Sequence, residues 1–168
     1  MKLQRKIAIV GGGHAGVEAA LAVSRLGKKC FLITMDKTSI GRMSCNPAIG
    51  GLAKGHIVKE IDALGGIMGH VTDQVTIQNK ILNKSKGRAV WAPRSQIDKI
   101  QYTNIIQALI NKNKNIQIIE DEIIDFTVKQ QTLTSVILKN SSPMQCACLI
   151  VTCGTFMEGL MHIGNETF

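Results

Sequence analysis

No stretch of this 168-residue sequence approaches the roughly 18 to 20 uninterrupted apolar residues that a helix needs to cross a bilayer. The basic start "MKLQRK" leads straight into a short apolar run and then into glycines, without the apolar core of a secretion signal. Neither an anchor nor a cleaved leader is expected. Linkers, internal repeats and low-complexity tracts are missing too, which points to one domain long enough to bury a core. The five cysteines, Cys30, Cys45, Cys146, Cys148 and Cys153, are odd in number and scattered. That argues against a disulfide framework and for a reducing, cytoplasmic setting. Cys146 and Cys148 stand close together in an apolar run, but no second ligand pair lies at metal spacing, so no metal site is expected.

What is present is the composition of a folded globule, 45% apolar, with a formal charge of +8 and a pI near 9.4. Such an excess of cations attracts phosphates when it gathers on one surface. Lysine outnumbers arginine 15 to 5 and Ile and Asn are abundant, which an AT-rich genome produces without any nucleic-acid partner. Charge alone therefore leaves the partner open.

"KIAIV" at 6–10 reads as a buried parallel strand. "GGGHAG" follows, then "VEAALAVSRLG", whose Val17, Ala20, Leu21 and Ser24 share a helical face and whose Gly27 is placed to end the helix in a left-handed turn. "KKCFLIT" is a second strand, completing a βαβ unit of a parallel sheet. Residues 35–51 read as an irregular loop. A helix is expected over 52–64, with Ile57, Ile61 and Leu64 on one face and Lys59 and Asp62 turned away. "VTDQVTIQ" at 71–78 alternates like a strand, and "SKGRAVWAPR" reads as loop. Ser95 and Asp98 fit a capping box ahead of a helix marked by Tyr102, Ile105, Ile106 and Leu109. "NKNKN" ends that helix. "IQIIE" follows as a sheet strand, "EIIDFTVK" and "TSVILKN" as an antiparallel pair, and "CACLIVTCGT" at 146–155 as a last apolar strand.

Gly11, Gly13 and Gly16 make G-x-G-x-x-G between a strand and a helix. In that setting the glycines serve a tight turn, the close approach of a pyrophosphate, and helix-on-strand packing. The helix amino terminus adds free N–H groups and partial positive charge. The reading is dinucleotide binding. Asp36, twenty residues past Gly16, could accept from ribose hydroxyls, although Asp is also a common turn residue. His14 could touch a phosphate or sit idle. The antiparallel excursion before a strand ending in Thr152 and Gly154 is unlike a plain NAD dehydrogenase domain. It resembles the FAD-binding domains of two-dinucleotide flavoproteins.

"GGGHAG", the 24-residue "MSCNPAIGGLAKGHIVKEIDALGG" of 43–66, "IQNKILNKSKGRAV", "PRSQ" and "VTCGTFMEGLMHIG", in this order, closely resemble the amino-terminal part of the glucose-inhibited division protein A family. The resemblance covers nearly the whole chain. It implies an α/β, Rossmann-like FAD-binding domain with a parallel sheet and a small antiparallel excursion, cut before its last strand. It also implies a flavoprotein that helps place a carboxymethylaminomethyl group on the wobble uridine of tRNAs, with NADH and methylenetetrahydrofolate as co-substrates. A GTPase partner and, at full length, a homodimer are part of that picture. The FAD site it implies comprises Gly11, Gly12, Gly13, His14, Ala15, Gly16, Asp36, Asn46, Gly50, Gly51, Ile123, Thr152 and Gly154. The backbone at Asn46, Pro47, Gly50 and Gly51 would then pass close to the flavin ring.

Cys45 corresponds to a family cysteine proposed to act at the uracil or flavin. Lys54 and a helix amino terminus nearby would favour its thiolate, whereas the plain alternative is a small apolar filler. Lys54, Lys59, Lys86, Arg88 and Arg94 are candidates for tRNA phosphate contact, or ordinary solvated charges. Two features depart from the family: Arg88 stands where proline is usual after "SKG", loosening that loop, and the chain stops at "HIGNETF", short of an NADH insert and a helical carboxy-terminal part. Competing readings are a folate-dependent tRNA uridine methyltransferase relative, against which "SCNPAIGG" argues, and a non-catalytic FAD-binding fragment.

Overall fold

A computed structural model of the chain describes residues 6–154 and 162–167. The last residue of the expected strand 146–155 and the middle of "VTCGTFMEGLMHIG" lie outside the described residues. The chain runs through β1 (Ile7–Val10), α1 (His14–Arg25), β2 (Cys30–Thr34), β3 (Ala48–Gly50), α2 (Lys54–Ala63), α3 (Met68–Val75), β4 (Thr76–Leu82) and β5 (Ala92–Ile97). It continues through α4 (Lys99–Lys112), β6 (Ile116–Glu120), β7 (Ile123–Lys129), β8 (Thr132–Leu138), β9 (Met144–Gln145) and β10 (Cys148–Val151), and a short pair, β11 (His162–Ile163) with β12 (Glu166–Thr167).

The expected parallel sheet is there, in the order β10-β1-β2-β6. Ile7 pairs with Cys30 on one side and Cys148 on the other, and Cys30 pairs with Ile116. Alternate residues of these strands serve two cores, which is why the strands are predominantly apolar. Ile9, Leu32 and Ile116 pack with Val17, Leu21, Val71, Tyr102, Ile106 and Ile110 of the helices. Ala8 and Ile33 turn the other way and pack on Val136, Leu138 and Cys146, from the antiparallel meander β7-β8-β9. The layers are helices, parallel sheet and meander. α1 ends as foreseen, with Gly27 at φ +68° donating its N–H to Ser24 at 2.9 Å.

Three local expectations are corrected. Residues 71–78 do not form a single strand: the helix α3 runs to Val75 and β4 starts at Thr76. Val71, Thr72 and Val75 are its buried residues, a helical spacing too short to stand out against alternation. The supposed loops around 48 and 92 are strands, since β3, β5 and β4 form an antiparallel sheet in that order. β4 is mostly exposed, so it carries little apolar signal. Pro93 is tolerated in the middle strand because β3 pairs only with residues 94–96. Ser95 is not a helix cap: it lies in β5 and donates to Asn79 Oδ1 at 2.6 Å. The cap is Asp98, whose Oδ1 accepts from the N–H groups of Ile100 (2.9 Å) and Gln101 (3.0 Å). Among the described residues no helix is long and apolar enough to cross a membrane.

The corner between sheet and meander is tied by Asp121, a buried carboxylate. It accepts from Ser141 Oγ at 2.6 Å, from the Glu122 N–H at 2.8 Å and from both Asn140 nitrogens at 3.1 Å. Those donors, Ser141 foremost, hold its carboxyl below the ordinary carboxylate range. A depressed native value means stability that is present above the unfolded value of 3.8 and lost as pH falls through the native one. Asp121→Asn is therefore expected to lower the urea midpoint at neutral pH, with a deficit that shrinks well below pH 3.8. A deficit independent of pH would contradict this account.

Candidate dinucleotide-binding site

The glycine turn is built by contacts that leave no room for side chains. Gly11, at φ +105°, would place a Cβ 2.3 Å from the Thr152 carbonyl oxygen. Thr152 in turn donates its hydroxyl to the Val10 carbonyl at 2.6 Å, so the end of β10 braces the turn. A Cβ on Gly16 would lie 1.8 Å from the Gly11 carbonyl oxygen, which is how closely α1 sits on the turn. Gly12 is packed against Thr34 and Ile40 and accepts the Gly41 N–H at 2.8 Å. Gly13 differs: it is the N-cap of α1, and a Cβ there would meet nothing within 4 Å. The amides of His14 and Ala15 precede the first intrahelical bond, from Val17 to Gly13. Free N–H groups and the positive end of the helix thus face open space.

Beside that turn lies a cavity of about 430 Å³ with three walls. α1 contributes His14, Ala15 and Glu18; the loop with β3 contributes Cys45, Asn46 and Gly50; α2 and α3 contribute Lys54, Val58, Ile61 and Met68. Residues 30 positions apart in sequence are therefore brought together: the amino terminus of α1 and the cysteine loop share one space. Cys45 is exposed, with Lys54 on the same cavity. α2 presents Ile57 to this space and leaves Leu64 in solvent, 54% and 82% exposed, so its expected apolar face is not packed on the sheet.

His14 packs edge-on against the Tyr102 ring, centroids 5.7 Å apart. Burial lowers its imidazole below the ordinary value, partly offset by the Glu18 charge, and it is neutral at neutral pH. Glu18 is the functional candidate that sequence reasoning missed. Its Oε1 accepts the N–H groups of Ile67 (2.9 Å) and Met68 (2.7 Å) at the start of α3, while Oε2 is buried without a hydrogen-bond partner. The available signal was its position four residues after His14, on the same helical face.

Of the other predicted residues, Gly50 lines this cavity, whereas Asp36, Gly51, Ile123, Thr152 and Gly154 do not. Asp36, just past β2, spends Oδ1 on the Thr38 N–H (2.7 Å) and hydroxyl (2.6 Å). Those bonds hold its carboxyl below the usual range. Gly50, at φ +96°, lets β3 press to 2.3 Å between its virtual Cβ and the Pro93 carbonyl, and Gly51 donates to that carbonyl at 2.8 Å. The double glycine thus answers first to strand packing. Ile123 opens β7 and is half-buried against the meander core. Gly154 is at φ +82°, and among the described residues nothing lies within 4 Å of the place its Cβ would take.

These features suit a dinucleotide. A helix amino terminus next to a cavity is the arrangement that favours a pyrophosphate, and apolar side chains such as Val58 and Ile61 are the kind of wall that favours an aromatic ring. Fold and turn define an α/β domain of the dinucleotide-binding class. Residues 6–168 match the family model described as Glucose inhibited division protein A. The chain belongs to that family. It is 47% identical over 162 residues to the tRNA uridine 5-carboxymethylaminomethyl modification enzyme MnmG of Chlorobaculum tepidum, covering 96% of this chain and 26% of that one. To the protein of the same name from a Sulfurihydrogenibium species it is 46% identical, covering 99% and 27%. The solved structure of Aquifex aeolicus GidA in its form II crystal matches at a TM-score of 0.90 and 43% identity, over 98% of this chain and 27% of that one. A GidA-related protein from Thermus thermophilus shares the fold at a TM-score of 0.66 and 12% identity. The chain spans about a quarter of the length of the curated relatives it matches.

Two glycine variants separate packing from access. Gly16→Ala, forced against the Gly11 carbonyl, is expected to cost about 3 kcal/mol in a urea melt, the upper end of overpacking. Gly13→Ala, with empty space around its Cβ, is expected to cost at most about 1 kcal/mol, the difference between a good and a poor N-cap.

Proposed function

We propose that this chain is the FAD-holding part of an enzyme that modifies the wobble uridine of tRNA, helping to install a carboxymethylaminomethyl group at the uracil five position. The observation that carries the reading is the single cavity shared by the α1 amino terminus and the Cys45 loop. The relatives' name, tRNA uridine 5-carboxymethylaminomethyl modification enzyme, supplies the substrate class. The reading extends to NADH and methylenetetrahydrofolate as co-substrates, to a GTPase partner, and to a cytoplasmic homodimer at full length.

In this proposal the amides after Gly13 hold the pyrophosphate, with Gly11, Gly12 and Gly16 fixing the turn and His14 and Ala15 beside it. Asp36 offers its free oxygen to a ribose, and Ile123, Thr152 and Gly154 complete the set. Asn46, Gly50 and Gly51 carry the loop that faces the ring. Bound there, FAD supplies two-electron redox chemistry. The chain's own residues orient and shield: Val58, Ile61 and Met68 exclude water, and neutral His14 presents one N–H and one lone pair. Glu18 Oε2, already desolvated, accepts a ligand hydrogen. Cys45 is exposed at the cavity that Lys54 also lines, within reach of a bound ligand.

Titration of FAD into the chain, followed by flavin fluorescence, is expected to give saturable binding that Gly13→Ala removes while the protein stays folded. Folded wild-type chain that leaves the flavin signal unchanged would overturn the FAD assignment. In cells lacking the gene, mass spectrometry of tRNA nucleosides is expected to show loss of the carboxymethylaminomethyl group from wobble uridines. An unchanged nucleoside profile would remove the tRNA assignment.

A further inference from the structure

The cations of this chain are not evenly spread. Residues 76–97 hold Lys80, Lys84, Lys86, Arg88 and Arg94 and no Asp or Glu, so five of the eight net positive charges fall on β4, β5 and the turn between them. A compositional bias toward lysine would scatter them. Among the described residues the ion pairs are Lys37 with Glu120 and Lys139 with Glu122, and none involves these five. Lys80 and Arg94 stand directly opposite each other on the paired strands, an arrangement that repels when left unneutralised.

The turn that carries three of them is tied down. The sole tryptophan, Trp91, donates its indole N–H to the Lys84 carbonyl at 3.2 Å, and the Arg88 guanidinium lies 5.9 Å from its ring centre. Asn83 adopts a left-handed conformation, φ +58°, and its amide reaches the Val90 carbonyl at 3.4 Å. Lys80, Lys84 and Arg94 share a cleft of about 460 Å³ with Asn79, Ile81 and Pro93, distinct from the cavity of Cys45. Arg94 is half-buried there, and Asn79 and Ser95 are joined at 2.6 Å. Strand-mounted cations with fixed polar neighbours match the requirements of phosphate contact, which positions a nucleic acid without reading its sequence.

We propose that the β4–β5 ribbon and its turn form the surface on which the sugar–phosphate backbone of a folded RNA is seated. The choice of RNA over another polyanion rests on the tRNA reading above. The ribbon reaches the cofactor side through its own strands: Arg94 is opposite Gly50, and Gly50 lines the Cys45 cavity. A phosphate held at Arg94 therefore places its nucleotide beside that cavity's rim.

The test is tRNA binding to the full chain, read by fluorescence anisotropy over a range of potassium chloride. One variant is Lys84→Gln/Lys86→Gln/Arg88→Gln, whose residues are all exposed and whose folding is checked by thermal melting. The control, Lys28→Gln/Lys29→Gln/Lys114→Gln, removes the same charge from exposed positions beside the starts of β2 and β6. The first variant is expected to weaken binding at least about tenfold and flatten the log–log salt slope by about 2 to 2.7, from 0.7 to 0.9 per phosphate lost. The control is expected to change neither materially. Equal losses in both would reduce the effect to net charge and overturn the proposal, as would no loss in the first. Loss of binding to phosphatidylcholine–phosphatidylserine vesicles with tRNA binding intact would assign the ribbon to a membrane and also overturn it. The FAD titration separates the two readings: an FAD-binding chain whose tRNA affinity ignores the ribbon sinks this inference alone.

Discussion

Helix α1 can approach the end of β1 only because Gly16 has no side chain, and the whole site follows from that approach. A methyl group there would occupy the Gly11 carbonyl oxygen, 1.8 Å away. With the helix seated, its first amides point past Gly13 into open space, and His14 and Glu18 fall on the face that lines the cavity. The same seating presses Val17, Ala20 and Leu21 into the helical core. Binding geometry and folding energy are thus coupled through one backbone contact.

Glu18 shows how a second layer is built on the first. Its carboxylate ties α1 to the start of α3, 49 residues away, and the negative charge suits that helix's amino terminus. The cost is one oxygen left buried and unpaired, a debt of about 1 to 3 kcal/mol for a buried polar group. A ligand donor would remove it. The α2 wall tells the same story in apolar terms, because Gly55 is its one fully buried residue and Ile57 stays open. Ile57 thus leaves an apolar side chain open on the cavity wall.

The sequence made the parallel sheet legible because β1 and β2, packed on both faces, read as apolar runs, with glycines after β1 and before β2. It also placed the glycine turn and the cysteine loop on the page, and the family resemblance is matched by relatives at 47% identity. What could not be read were elements held by backbone pairing. β3 and β5 are fixed by ladder bonds and by Gly50 closing on Pro93, neither of which leaves an apolar period. The start of α4 was misplaced for a related reason. Ser-x-x-Asp at 95–98 and Asp-x-x-Gln at 98–101 both satisfy the capping pattern, and only pairing of Ser95 with Asn79 across the strands decides between them. Glu18 gives only a weak sequence signal, its spacing from His14, because its hydrogen-bond partners lie 49 and 50 residues away.

The electrostatic arrangement has a mechanical basis in the same ladders. Lys80 opposite Arg94 weakens the pairing of β4 with β5 unless an anion lies between them, since like charges directly across an antiparallel pair repel. Trp91 and Asn83 counter that by fixing the turn, so the cations stay in register although they repel. A polyanion seated on the ribbon would relieve the repulsion. β5 is the strand shared with β3, and β3 carries Gly50 at the edge of the Cys45 cavity, so the cationic ribbon and one wall of that cavity belong to the same three-stranded sheet.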